Sequence, residues 1–136
     1  MLGINKFSFN SWPPNYIYFY LKNRNEIVKR AAKTRQKMIE ISNLKKKYNY
    51  PCPIHLAIGH ENLSACVAQI KESNDNFILS HRNIHFNLSL SSDEDIKLLE
   101  KELQSDSCGI NNGNYGSMTM RNKSKGVLYS SSILAN

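Results

Sequence analysis

Between Asn23 and Lys46, residues suited to burial return at spacings of three and four: Ile27, Ala31, Thr34, Met38, Ile41 and Leu44. A stripe with that period fits a helix lying on a core, whereas a half-buried strand would alternate every second residue. Pro51 and Pro53 then end the element, since proline lacks the N–H that a continuing helix needs. The chain must therefore supply a hydrophobic body for one long amphipathic helix. Glu26 stands four residues before Arg30, the better orientation for a helical ion pair of roughly 0.2–0.5 kcal/mol. Lys29, Lys33 and Lys37 fall four apart on another face and should repel one another by similar amounts. The run Lys45-Lys46-Lys47 suits the negative end of the helix dipole.

Charge follows this helix. The formal charge is +7 over 136 residues, with a sequence pI of about 9.4. Residues 1–50 hold 8 Lys and 3 Arg against Glu26 and Glu40, a net +9, whereas residues 51–136 are net −2. Lysine outnumbers arginine 13 to 5, while base and phosphate readout favours the arginine fork. The basicity reads as a solvated helix face, and a nucleic-acid module would rest on that segment alone. The longest aromatic run, Tyr16–Leu21, is far short of the roughly 20 apolar residues that cross a bilayer and lacks a signal-peptide cleavage pattern. Cys52, Cys66 and Cys108 are odd in number and widely spaced, so a disulfide framework is not expected and a cytoplasmic setting is.

The remaining elements are short. Residues 1–22 read as an irregular aromatic arm with no clear period. Ile54–Gly59 alternates briefly and turns at Gly59, and a second helix is expected from about His60 to Lys71 with Leu63, Cys66, Val67 and Ile70 inward. Phe77-Ile-Leu-Ser80 reads as a buried strand, followed at its carboxyl end by His81-Arg82, where open α/β sheets bind ligands. Ser91-x-x-Glu94 predicts a capping box for a third helix carrying Ile96, Leu99 and Leu103. A glycine-rich loop from Cys108 to Ser117 and the apolar stretch Val127-Leu-Tyr129 follow.

Several of these residues suit chemistry. His60-Glu61 opens like a zinc-protease helix, but the required second histidine is replaced by Ser64. Cys52, His55 and His60 lack zinc-ligand spacing, and His81 and His85 would share a metal only on one helix face, so polar loop histidines are the simpler reading. Gly109, Gly113 and Gly116 suit either a tight connection or a phosphate cradle, although no Gly-Lys-Ser/Thr follows. Arg82, beside a histidine at the end of a strand, suits either a phosphate or a local carboxylate.

The order of these pieces is distinctive: His55-Leu-Ala-Ile-Gly-His-Glu61, then Asp75 and Ser80-His-Arg-Asn83, then a helix over 93–103 ending in Glu102-Leu103, then Gly109-x-x-x-Gly-x-x-Gly-Ser-Met118. This succession, over about residues 24–136, resembles the N-terminal half of the alpha subunit of thiamine-diphosphate-dependent dehydrogenases. These are the first components of pyruvate, branched-chain 2-oxo acid and acetoin dehydrogenase complexes.

The resemblance implies the N-terminal part of a doubly wound α/β thiamine-diphosphate-binding fold, helix-rich because most of the sheet lies downstream. It implies that Arg82 and His81 contact the cofactor diphosphate, that His55 lies at the active-site channel, and that Gly116 and Ser117 form a loop beside it. It also implies a magnesium ion, a beta-type partner subunit, a downstream alpha segment and a lipoyl acyltransferase that receives the acyl group. The chain departs from the family pattern at His60, where glutamine is usual, at Thr119, where histidine follows Ser-Met, and at Asn114-Tyr115, where residues are smaller. No Gly-Asp-Gly, the family's magnesium motif, occurs in the chain. The expectation is an alpha-type subunit or a piece of one, weakly stable by itself. The alternative is a catalytically inactive remnant that acts only by binding a partner.

Overall fold

A computed structural model describes residues 14–116 and 120–130. The chain order is α1 (Pro14–Tyr48), α2 (Glu61–Ile70), β1 (Phe77–Leu79), α3 (Ile84–Leu90), α4 (Asp93–Leu103), a 3₁₀ turn (Lys123–Lys125) and β2 (Val127–Ser130). The result is a helix-rich α/β arrangement with one two-stranded parallel sheet. Trp12 of the expected arm lies outside the described residues.

Helix α1 is longer than its stripe predicts. It starts at Pro14, so residues 14–22 of the expected irregular arm are helical. Proline at the first helical position loses nothing, because that N–H would have no partner in the helix. Phe19 and Tyr20 then extend the inner face and pack with Ile27, Ala31, Ala65 and Cys66. The stripe itself is inward: Ile27, Ala31, Thr34, Met38 and Ile41 are all buried. Asn49 ends the helix in the left-handed region (φ 47), a conformation asparagine tolerates better than most residues. Tyr50 turns back into the core.

The main core joins Met38 and Ile41 of α1 to Ile84 and Leu88 of α3 and to Ile96, Leu99 and Leu103 of α4. Helix α3 has no counterpart in the sequence reading. Its seven residues are too few for a clear period, and Ile84, His85, Asn87, Leu88, Ser89 and Leu90 are all buried, so no polar face marks it. The capping box of α4 sits one residue later than Ser91 predicts. Ser92 accepts from the Asp95 N–H at 3.2 Å, and Asp95 accepts from the Ser92 N–H at 3.2 Å.

Helix α2 is turned relative to its expected face. Glu61, Ser64 and Ala65 are buried, while Leu63 and Ile70 are about half exposed. The cause is a hydroxyl cluster that rewards the polar face. Ser89 Oγ lies 2.9 Å from Thr34 Oγ1 and 2.8 Å from Ser64 Oγ, and Arg30 Nη1 donates to Ser89 O at 2.7 Å. Small side chains here let α1, α2 and α3 approach closely, and each buried hydroxyl finds a partner.

Strand β1 pairs in parallel with β2, with Phe77 opposite Val127 and a bulge between Phe77 and Ile78. Leu79 and Val127 pack inward with Leu90, whereas Ile78 is 78% exposed and Leu128 46%. Three of the α1 cations are met by acids from residues 51–136. Lys33 pairs with Asp93, Lys37 with Glu100 at 3.5 Å, and Arg35 with Glu61 at 3.4 Å. Glu26 pairs with Lys29 at 3.1 Å, not with Arg30, because Arg30 is drawn to the Ser89 carbonyl. The lysines expected to repel one another are therefore each matched to a carboxylate.

Candidate functional site

The expected site residues converge at one end of β1. Along 54–57, Ile54 and Leu56 pack on the main core and Ala57 is buried, so the alternation turns His55 outward. The chain leaves β1 through Ser80 and presents His81. The two imidazoles meet edge to face with ring centroids 5.8 Å apart. Arg82 follows, exposed and in no ion pair among the described residues. Asn83 fixes this exit, its side-chain amide donating to Ser80 O at 3.1 Å while the Asn83 side-chain oxygen accepts from Asn87 Nδ2 at 2.7 Å.

A second histidine pair joins an exposed ring to a buried one. His60 precedes α2 and His85 lies on α3, with ring centroids 6.0 Å apart. His81 lies ahead of α3, so His81 and His85 do not share a helix face as a common metal would need. Burial chiefly, with His60 adding to it and Glu61 opposing, pushes the His85 imidazole down to about 4. His85 Nδ1 is buried without a hydrogen-bond partner among the described residues, as befits a neutral ring. Glu61 beside it is held by both oxygens, accepting from the Gly59 N–H at 3.0 and 2.9 Å. Burial pushes the Glu61 carboxyl up, but the Gly59 and Glu61 N–H groups, then Arg35 and His85, outweigh it and hold it below the ordinary value.

The glycine-rich loop is organised by the glutamate of the Glu-Leu pair that ends the 93–103 helix, a residue to which the sequence reading gives no role of its own. Glu102, fully buried on α4, accepts from the N–H groups of Asn111 (2.8 Å), Gly113 (2.9 Å) and Tyr115 (2.8 Å). Its carboxylate thus occupies the backbone donors that a phosphate cradle would offer. Gly109 passes so close that an added Cβ would lie 2.6 Å from Glu102 Cα. The only early sign of this arrangement was a glutamate in the apolar register next to Leu103.

Gly116 takes a left-handed conformation (φ 58), and an added Cβ there would lie 3.1 Å from Cys52 Cβ. Because Cys52 precedes His55 by three residues, the loop borders the same segment. Ser117, also expected at the site, lies outside the described residues, as do Met118 and Thr119.

For a metal, the described residues hold no group of three or more His, Cys, Asp or Glu side chains. A groove of about 360 Å³ lies elsewhere, between α1 and the α3–α4 turn, lined by Arg30, Lys33, Ser89, Ser91 and Asp93 among others. Its lysines already meet Glu26 and Asp93, so it offers an anion little. No described helix is long and apolar enough to cross a membrane. No family model matches the chain, and no curated protein or solved structure matches it.

Proposed function

We propose that the chain is an alpha-type subunit, or part of one, of a thiamine-diphosphate-dependent dehydrogenase acting on a 2-oxo acid or acetoin-like substrate in the cytoplasm. The observation that carries the reading is Arg82. It stands exposed and without an ion pair among the described residues at the carboxyl end of a parallel strand, next to His81 and its ring contact with His55. A guanidinium in that position offers the fork of donors that a diphosphate accepts. His55, outward and against the His81 ring, would lie beside the bound group and help orient it.

These residues fit the diphosphate end of the cofactor. No group of three or more His, Cys, Asp or Glu side chains among the described residues would hold the magnesium. When bound, thiamine diphosphate supplies the carbanion-stabilising chemistry, and the protein supplies orientation and charge. The exposed Ile78, Leu128, Leu63 and Ile70 support a working form in which a beta-type subunit, or a further alpha segment, lies against this chain. A lipoyl acyltransferase would then take the acyl group.

The test is an NMR titration with thiamine diphosphate at millimolar concentration, where weak binding is still visible. Arg82 Nε–H and the His55 and His81 ring protons should shift together. Arg82→Ala should weaken binding about tenfold, the worth of one charge-assisted contact, and leave stability unchanged. Absence of these shifts, or shifts unaltered by Arg82→Ala, overturns the reading.

A further inference from the structure

We propose that Glu102 is a positioning residue, an internal anion around which the glycine-rich loop is wound and which sets Gly116 against Cys52, three residues from His55. Reading the His55–His81 contact as functional rests on the proposal above. The placement of the loop does not.

The carboxylate is fully buried and makes no salt bridge among the described residues. A charge in that position must be compensated, and here three backbone N–H dipoles do so in place of a cation. The dependence runs both ways. Gly109, Gly113 and Tyr115 follow a path fixed by the carboxylate, and only glycine fits at 109, where a side chain would collide with Glu102 itself. Asn111 extends the order outward, its side-chain oxygen accepting from the Arg121 N–H at 2.9 Å.

The last turn of α4 also holds the segment against which the loop packs. Cys52 Sγ donates to Leu103 O at 3.1 Å, one residue from Glu102. Helix α4 therefore holds the loop through Glu102 and the 52–55 segment through Leu103, and its rigidity fixes their spacing. Because the loop donors at 111, 113 and 115 are taken, an incoming anion finds Arg82 and His81 instead of a phosphate cradle. The glycines serve shape, and the anion they shape is the chain's own.

Release of the loop should uncover Cys52, and Cys66, which packs on Ile27, Ala31 and Ala65 away from the loop, reports any general loosening. Alkylation of the chain with iodoacetamide, resolved by cysteine in a mass spectrometer, is the measurement. Glu102→Gln should raise the Cys52 rate about tenfold, the effect of losing charge-assisted bonds to an anion, with Cys66 unchanged. Glu102→Asp, which keeps the charge, should retain most of the protection. Formate should restore it in Glu102→Ala by occupying the vacated donors.

An unchanged Cys52 rate in Glu102→Gln overturns the proposal. So does a parallel rise at Cys52 and Cys66 that formate does not reverse, which would mark a merely structural carboxylate. Thiamine diphosphate is a separate arm. Failure to protect wild-type Cys52 would count against the proposed function, while the alkylation ratios still decide the role of Glu102.

Discussion

The body built on α1, α3 and α4 and the ledge formed by α2 and the two strands differ in which of their large apolar side chains they bury. In the body, Met38, Ile41, Leu99 and Leu103 are shielded from water, and the cations of α1 find acids on α2 and α4. On the ledge, Leu63, Ile70, Ile78 and Leu128 face outward, and α2 buries Ser64 and Ala65 in their place. Apolar side chains also stand exposed on the outer faces of α1 and α4, at Leu21, Val28, Ile39 and Leu98, and what sets the ledge apart is Ile78, the most exposed of them, on a strand pair with unpaired edges. Arg82 follows β1 on the ledge, and His55 reaches the neighbouring His81.

The largest effect should come from the closed side. Met38→Ala or Leu99→Ala removes a side chain with no route to solvent and should cost about 2–5 kcal/mol. That is a large share of a small domain's margin. Urea unfolding followed by circular dichroism measures it. A loss below about 1 kcal/mol would mean that the body is as loosely covered as the ledge.

Acid should open the body next, through His85. Its folded value is about 4 against an ordinary 6.5, so the folded state binds fewer protons than the unfolded chain between those values. Stability is full above about pH 6.5 and falls as pH drops towards 4, by roughly 3 kcal/mol at most. The groups facing the ring do not reverse the sign. His60 reinforces the low value, and Glu61, the opposing group, is shared with Arg35 and Gly59. Urea midpoints for wild type and His85→Gln should converge as pH falls from 7 to 4. Parallel curves would remove His85 as the cause.

A smaller loss should follow at the junction of the two regions. Ser89 touches both Thr34 and Ser64, so Ser89→Ala strands a Thr34 hydroxyl, while Ser64 keeps its bond to Glu61 O at 3.0 Å. The expected cost is about 1–2 kcal/mol, read from the same urea curves. A neutral result would show that water enters the helix contact and that α2 is held by other means.

What could be read from the sequence tracks this division. The α1 stripe and the α4 pattern around Ile96, Leu99 and Leu103 were legible because each buries one face and leaves the other charged. Helix α3 was not, since a seven-residue helix buried nearly all round has no polar face to announce it. The orientation of α2 misled because Leu63, Val67 and Ile70 form a good apolar face, and only the position of Ser89 across the contact explains why Ser64 turns inward. At the site, His55, His81 and Arg82 were legible as an ordered set. Glu102 was not, because its three partners are backbone groups, which carry no sequence signature.

The smallest expected effect tests the ledge. Ile78 is 78% exposed, so Ile78→Ser removes little burial and should change the unfolding free energy by no more than about 0.5 kcal/mol. Self-association should nevertheless fall, because an exposed apolar strand beside an unpaired edge is the surface on which chains meet. Light scattering over a concentration series measures that, and unfolding curves on the same samples measure stability. A loss above 1 kcal/mol would mean that Ile78 is covered within the folded chain, and the contrast between closed body and open ledge would fail. Unchanged stability with weaker association would leave the ledge as a surface whose apolar residues gain burial only when another chain lies on it.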